Sequence, residues 1–153
     1  MQTQKRTMMI SIWQVIDLLT QQIPFSRQKV ETTLSTQLME VEDAFNKQYH
    51  FYKSMSIQLA GGVVISNVDL RIKRYGNHPG FLVLRIDGIC ITVEELQKQY
   101  GDLQITQVPH GRSLDEKTSL SSSLSWGKLS FGFKERNPNC LATIAFEPLI
   151  QYE

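Results

Sequence analysis

Apolar and polar residues alternate along two stretches of this chain. Val68, Leu70 and Ile72 alternate with Asp69, Arg71 and Lys73, and after the breaker-rich segment 75–79 the pattern resumes with Leu82, Leu84 and Ile86. The same period returns in Leu129, Phe131 and Phe133, and again in Ala142, Ile144 and Phe146. A period of two places successive side chains on opposite faces of a strand and predicts a half-buried sheet. Each buried aliphatic or aromatic side chain contributes about 1.5–3 kcal/mol. A slip of one residue would expose the whole set, so the inward residues fix the register.

From this pattern we expect strands over Phe51–Leu59, Val63–Arg74 and Gly80–Asp87, the first two joined by Ala60-Gly61-Gly62. A short strand is expected at Leu103–Val108, and a hairpin of Leu124–Glu135 and Cys140–Glu147 around residues 136–139. Residues 38–45 read as extended or mixed. Pro109–Ser122 reads as a long polar loop of the kind that carries function or motion.

Three segments change to helical spacing. Ser11, Gln14, Asp17 and Gln21 make a polar stripe on an otherwise apolar helix over about residues 10–22, ending before Pro24 and suited to docking on the sheet. Ser26 and Thr92 open two shorter helices as N-caps, and Thr92-Val-Glu-Glu95 has capping-box spacing. Val30 and Leu34, like Leu96 and Tyr100, are four apart and share a helix face. Gly101 is placed to end the second of these helices.

The two short helices and the strands behind them can be laid over one another. Ser26–Leu34 falls on Thr92–Tyr100, Val68–Lys73 on Leu129–Lys134, and Gly80–Gly88 on Cys140–Pro148. The expected fold is therefore one α+β domain of two tandem pseudo-repeats, about 1–89 and 90–153. Each copy is a helix followed by an antiparallel meander, with the helices packed on one sheet face.

Composition narrows the partners. The chain has 153 residues, 41% of them hydrophobic, and a net charge of +1. It is neither disordered nor strongly charged, and no nucleic-acid partner is expected. No apolar run approaches the roughly 20 residues of a membrane helix. Lys5 and Arg6 before an apolar stretch loosely suggest a leader, but Gln14 and Asp17 interrupt it and no small-x-small site follows. The chain as given is expected in the cytoplasm, or in the periplasm if a leader has been removed.

Cys90 and Cys140 make neither a zinc pattern nor C-x-x-C. In the repeat alignment Cys140 opens its strand and Cys90 lies past the end of the matching one. Equivalent positions would stand about 30 Å apart at ~3.3 Å per residue. Free, buried thiols are expected; a disulfide is the alternative, and would imply an oxidising compartment.

Catalytic chemistry is not legible. Ser26-Arg-Gln-Lys29 fits S-x-x-K, but its S-D-N and K-T-G companions are missing, and a helix cap accounts for it. His50, His78 and His110 are scattered near turns. No enzyme activity, metal or cofactor is expected. The outward sheet face offers more: Arg71, Lys73, Arg85 and Lys128, together with Trp126 as an apolar anchor unless a bulge turns it into the core. His110 and Arg112 of the polar loop complete the expected contact set, since Trp and Arg are enriched at interface hot spots.

The layout of Ser26–Leu34, Thr92–Tyr100 and the hairpins behind them resembles the β-lactamase inhibitory proteins. It is also similar to the small lipoprotein of the outer-membrane β-barrel assembly machine. The chain departs from the inhibitors in lacking a cysteine pair within each repeat. The resemblance implies a sheet that grips another protein, and the size and lack of motifs look like those of bacterial immunity proteins. The expected function is inhibition of a toxin or other enzyme by steric occlusion. An envelope assembly factor, an enzyme of unknown type and a nucleic-acid binder on the basic face are the alternatives.

Overall fold

Hydroxyl side chains start each of the three α-helices of the computed structural model, which describes residues 6–150. Ser11 caps α1 (Ile12–Thr20), Ser26 caps α2 (Arg27–Leu34) and Thr92 caps α3 (Val93–Tyr100). In each case the side-chain oxygen accepts the backbone N–H three residues on. The full reciprocal capping box forms at Ser11, where Gln14 Oε1 accepts the Ser11 N–H at 2.9 Å. At Thr92, where the spacing predicted one, only the threonine half is made. The cap at Ser26 also explains S-x-x-K: Lys29 Nζ donates to Pro24 O at 3.1 Å and takes part in the cap rather than in an acylation site.

Ten strands form one sheet with these helices in an α+β fold. They are β1 (Arg6–Thr7), β2 (Leu38–Val41), β3 (Tyr49–Ser54), β4 (Ile57–Gln58) and β5 (Val63–Lys73) in the first part of the chain. Then come β6 (Phe81–Gly88), β7 (Gln104–Gln107), β8 (Lys117–Leu124), β9 (Gly127–Lys134) and β10 (Leu141–Pro148). Across the sheet the order is β2-β3-β5-β6-β10-β9-β8-β7. On the β3 side of β5, β4 continues the pairing and carries β1 beyond it. Every pairing is antiparallel except β1 with β4.

The inner face is the alternating apolar set. Val68, Leu70, Leu82, Leu84, Ile144, Phe146, Leu129 and Phe131 are buried in a single cluster with Ile12, Val15, Ile16 and Leu19 of α1, Val30 and Leu34 of α2, and Leu96 of α3. Tyr100 links α3 to both neighbours, its ring 5.2 Å from Phe131 and 6.0 Å from Trp13. Ile65 and Val68 are three apart yet both fully buried. Strict alternation would expose one of them; a bulge between Ile65 and Asn67 absorbs the extra residue. The Val68 N–H beside it goes to Ser54 Oγ at 3.2 Å, close to where the expected strand 51–59 breaks into β3 and β4.

Two expectations are corrected. The segment 109–122 is not all loop, because Lys117–Leu124 is a strand paired along its whole length with β9. Its Ser121 is buried, with Oγ in hydrogen bonds to Thr106 Oγ1 at 2.7 Å and Ser130 Oγ at 2.8 Å. Serine hydroxyls compete for local backbone groups and give a weak strand signal of their own, so the neighbouring ladder selects the strand.

Cys90 and Cys140 are not free but bonded to each other, with Cα atoms 4.9 Å apart. The expected separation is that between the two ends of a strand, and holds if equivalent strands run in the same direction. Instead β6 and β10 pair antiparallel, so the end of one meets the start of the other.

Closing a loop across a separation of 50 residues should contribute about 4 kcal/mol through the unfolded chain. The Cys90→Ser/Cys140→Ser double variant is expected to lose stability of that order in urea unfolding. Equal midpoints for the two proteins would refute it. Leu84→Ala, at a position with 0% exposure, is expected to cost about 3 kcal/mol in the same assay.

Candidate functional site

With the helices on the inner side, the alternate residues of eight strands make up an open outer face. Its rows follow from the register. Val41, Phe51, Arg71 and Phe81 form one row across β2, β3, β5 and β6. The next runs Met39, Lys53, Asp69, Val83, Ala145, Ser130, Ser121 and Gln104 across the whole sheet. A third holds Asn67, Arg85, Thr143, Gly132, Ser119 and Gln107. Small side chains dominate the β10-β9-β8 part, which therefore has low relief. Bulkier groups stand at two places around it.

The first is aromatic and basic. Arg71 lies over the Phe51 ring at 5.4 Å and pairs with Asp69 at 3.4 Å. His78 meets Phe81 edge-on at 4.7 Å and Tyr49 at 5.8 Å. The Gly80 N–H donates to His78 Nδ1 at 3.0 Å, while partial burial and the Lys73 charge lower the imidazole pKa. Asp69 Oδ1 is buried, and no donor among the described residues reaches it.

The second is a cleft of about 460 Å³ at the disulfide end, bordered by Arg85, Lys117, Lys134 and Arg136. Lys117 and Lys134 are directly opposite on β8 and β9. Burial, reinforced by the Lys134 and Arg85 charges, holds the Lys117 pKa below the usual lysine value. Asp115 accepts from Arg136 Nε at 2.9 Å and lies 3.8 Å from Lys134 Nζ. The Arg136 hydrogen bond above all keeps its carboxyl below the ordinary range.

The expected contact residues are distributed over this surface as follows. Arg71, Lys73 and Arg85 are exposed on the outer face, and Lys128 is on it too but paired with Glu147 at 3.1 Å. Trp126 is not on the face. It occupies the two-residue turn between β8 and β9 and stacks on Phe146 of the core at 6.2 Å. There it borders a groove with Ile23, Pro24, His78, Pro79 and Leu149. The strand start had been expected at Leu124, which would carry Trp126 outward; the turn at 125–126 reverses that.

Trp126 and the cleft lie at opposite ends of β9, seven steps or about 23 Å apart at ~3.3 Å each. His110 and Arg112 are exposed in the loop beside the cleft. Their backbone N–H groups donate to the two Glu116 oxygens at 2.9 and 2.6 Å, with Ser113 N–H at 3.1 Å.

Sequence reading missed Phe51, Phe81, Lys117 and Arg136. Phe81 was findable, since it shares the outward phase of Arg85. Lys117 is hidden in the sequence because it opens a serine-rich strand that carries little strand signal of its own. The three histidines do not converge: His50 bonds Glu40 at 3.0 Å between β2 and β3, apart from His78 and His110. Among the described residues no group of three or more His, Cys, Asp or Glu could hold a metal, and no helix is long and apolar enough to cross a membrane. Comparison with protein-family models, with curated proteins and with solved structures gives no match.

The loop hydrogen bonds carry a pH dependence. Backbone donation, His110 first, holds the Glu116 carboxyl below its ordinary value of 4.5. Its stabilisation of the loop is therefore complete above that value and is lost as pH falls through the lowered one. Amide exchange at His110, Arg112 and Ser113, corrected for intrinsic rates, should be slow near neutrality and faster in acid. Glu116→Gln should bring about the faster exchange at neutral pH, and unchanged protection in that variant would count against it.

Proposed function

We propose that this chain is a protein-binding inhibitor that covers its partner with the outer sheet face, in the manner of a bacterial immunity protein neutralising a cognate toxin. The observation that carries this proposal is the one-sided packing: the helices cover the inner face, while Phe51, Arg71 and Phe81 line up on the bare one. Aromatic and arginine side chains are the groups that anchor protein interfaces. Area agrees as well. Eight strands of four to eleven residues, about 4.8 Å apart and ~3.3 Å per residue, span on the order of 900 Å², the size of one partner's share of a stable interface.

We also read the fold as two copies of one unit. A helix precedes β2, β3, β5 and β6 in one half and β7, β8, β9 and β10 in the other, and the last strand of each half lies at the centre. That order supports descent by duplication. The Cys90–Cys140 bond favours an oxidising compartment over the cytoplasm, and with it a second reading as an envelope assembly factor that uses the same face.

Affinity capture at moderate salt, followed by an activity assay of the captured protein, tests the inhibitor proposal. One stoichiometric partner, silenced on binding, is expected. Phe51→Ala or Arg71→Ala should weaken the complex by about tenfold or more. Lys98→Glu on α3, away from the outer face, should leave it unchanged. A chain that captures nothing and turns over small substrates by itself defeats the proposal.

A further inference from the structure

The cleft at the disulfide end is arranged at a cost to folding. Like charges directly opposite on adjacent strands are unfavourable, and Lys117 faces Lys134 in this way with Arg85 close by. Gly132 makes the arrangement feasible. A Cβ there would strike Thr143 Oγ1 and come within 2.9 Å of Lys117 Cδ, so the bare glycine lets the lysine stem lie across the sheet. The wall beside it is held by the Cys90–Cys140 bond.

Four cations line the cleft and the chain only partly answers them. Asp115 meets Arg136 and Lys134 at the rim. Asp87 borders the cleft but forms no ion pair within 4.0 Å among the described residues. Among the described residues, Arg85 and Lys117 have no acidic group within that distance. Asp115 also indicates which chemistry fits, since it is a carboxylate whose Oδ1 meets Arg136 Nε at 2.9 Å and lies 3.8 Å from Lys134 Nζ in the same cluster.

We propose that the cleft seats a pair of carboxylates from an acidic loop of the partner protein, with Arg85 and Lys117 as the receiving cations. The assignment rests on the outer face being the protein-binding surface proposed above. It adds what that proposal lacks, the chemistry of the partner's anchoring segment. Arg71 and Phe51 grip at the aromatic end, and the cleft receives acidic side chains at the other. Charge complementarity of this kind governs encounter rate and partner choice as well as affinity.

The test is a titration of isotopically labelled protein with a capped hexa-aspartate peptide at low ionic strength, followed by amide shifts. Saturable shifts are expected at Arg85, Lys117, Gly132 and Thr143. Arg85→Gln/Lys117→Gln should weaken binding by about tenfold or more. Lys98→Gln, on α3 and away from the outer face, should change it by less than about twofold.

Shifts spread evenly to the Arg71 end, or a Lys98→Gln effect as large as that of the double variant, would overturn the assignment. So would inorganic phosphate saturating the same amides more tightly than the peptide. If the peptide fails while Phe51→Ala still weakens the captured complex, only the cleft assignment falls. If Phe51→Ala leaves that complex unchanged, the outer face is not the binding surface.

Discussion

Antiparallel pairing of β6 with β10 joins the first four strands of the sheet to the last four, and the rest of the structure depends on it. Leu84 faces Ile144 and Leu82 faces Phe146 across this seam, with all four side chains fully buried. The inner face thus becomes one continuous apolar surface, broad enough for α1, α2 and α3 to share one core. The same pairing turns the end of β6 toward the start of β10 and brings Cys90 to Cys140. It also sets Arg85 opposite Thr143, one strand from Gly132 and two from Ser119. In this way cations from both halves of the chain reach a single cleft.

The two faces of the sheet obey different physics. On the inner face the register is enforced by burial, and wherever the sequence violates alternation the backbone yields. The bulge at Ser66 keeps both Ile65 and Val68 inside, and an irregularity between Leu141 and Thr143 does the same for Leu141 and Ile144. On the outer face nothing comparable is gained. Lys117 opposes Lys134, Asp69 keeps a buried oxygen without a donor, and Met39 and Val41 remain exposed. Each of these features is unfavourable in the isolated chain. The facing lysines and the exposed Met39 and Val41 would be relieved if another protein supplied acids and apolar cover, and the proposed function draws on that asymmetry.

Much of the fold was legible because alternation and capping act locally. The strands over 63–74, 80–87 and 140–147 and the helices after Ser26 and Thr92 follow from residues that are close in sequence. So does the outward phase of Arg71, Lys73, Arg85 and Lys128. Lys117–Leu124 was not legible, because a serine-rich segment becomes a strand only when a neighbour such as β9 supplies the ladder. Trp126 was misplaced for a related reason: a turn of two residues reverses the face of whatever it carries, and no strong turn residue marks Ser125-Trp126.

By itself, then, the sequence determined which side chains must be inside, since the free energy of burial is a property of each side chain and its phase. The tertiary structure decided which strands are neighbours. The join between β6 and β10 rests on contacts between residues 58 to 64 positions apart, such as Leu82 with Phe146, and no local signal encodes them. The disulfide, the basic cleft and the aromatic row all descend from that order. The first two are consequences of pairing across the seam, where two separately patterned stretches of chain meet, while the row of Val41, Phe51, Arg71 and Phe81 comes from pairing among β2, β3, β5 and β6.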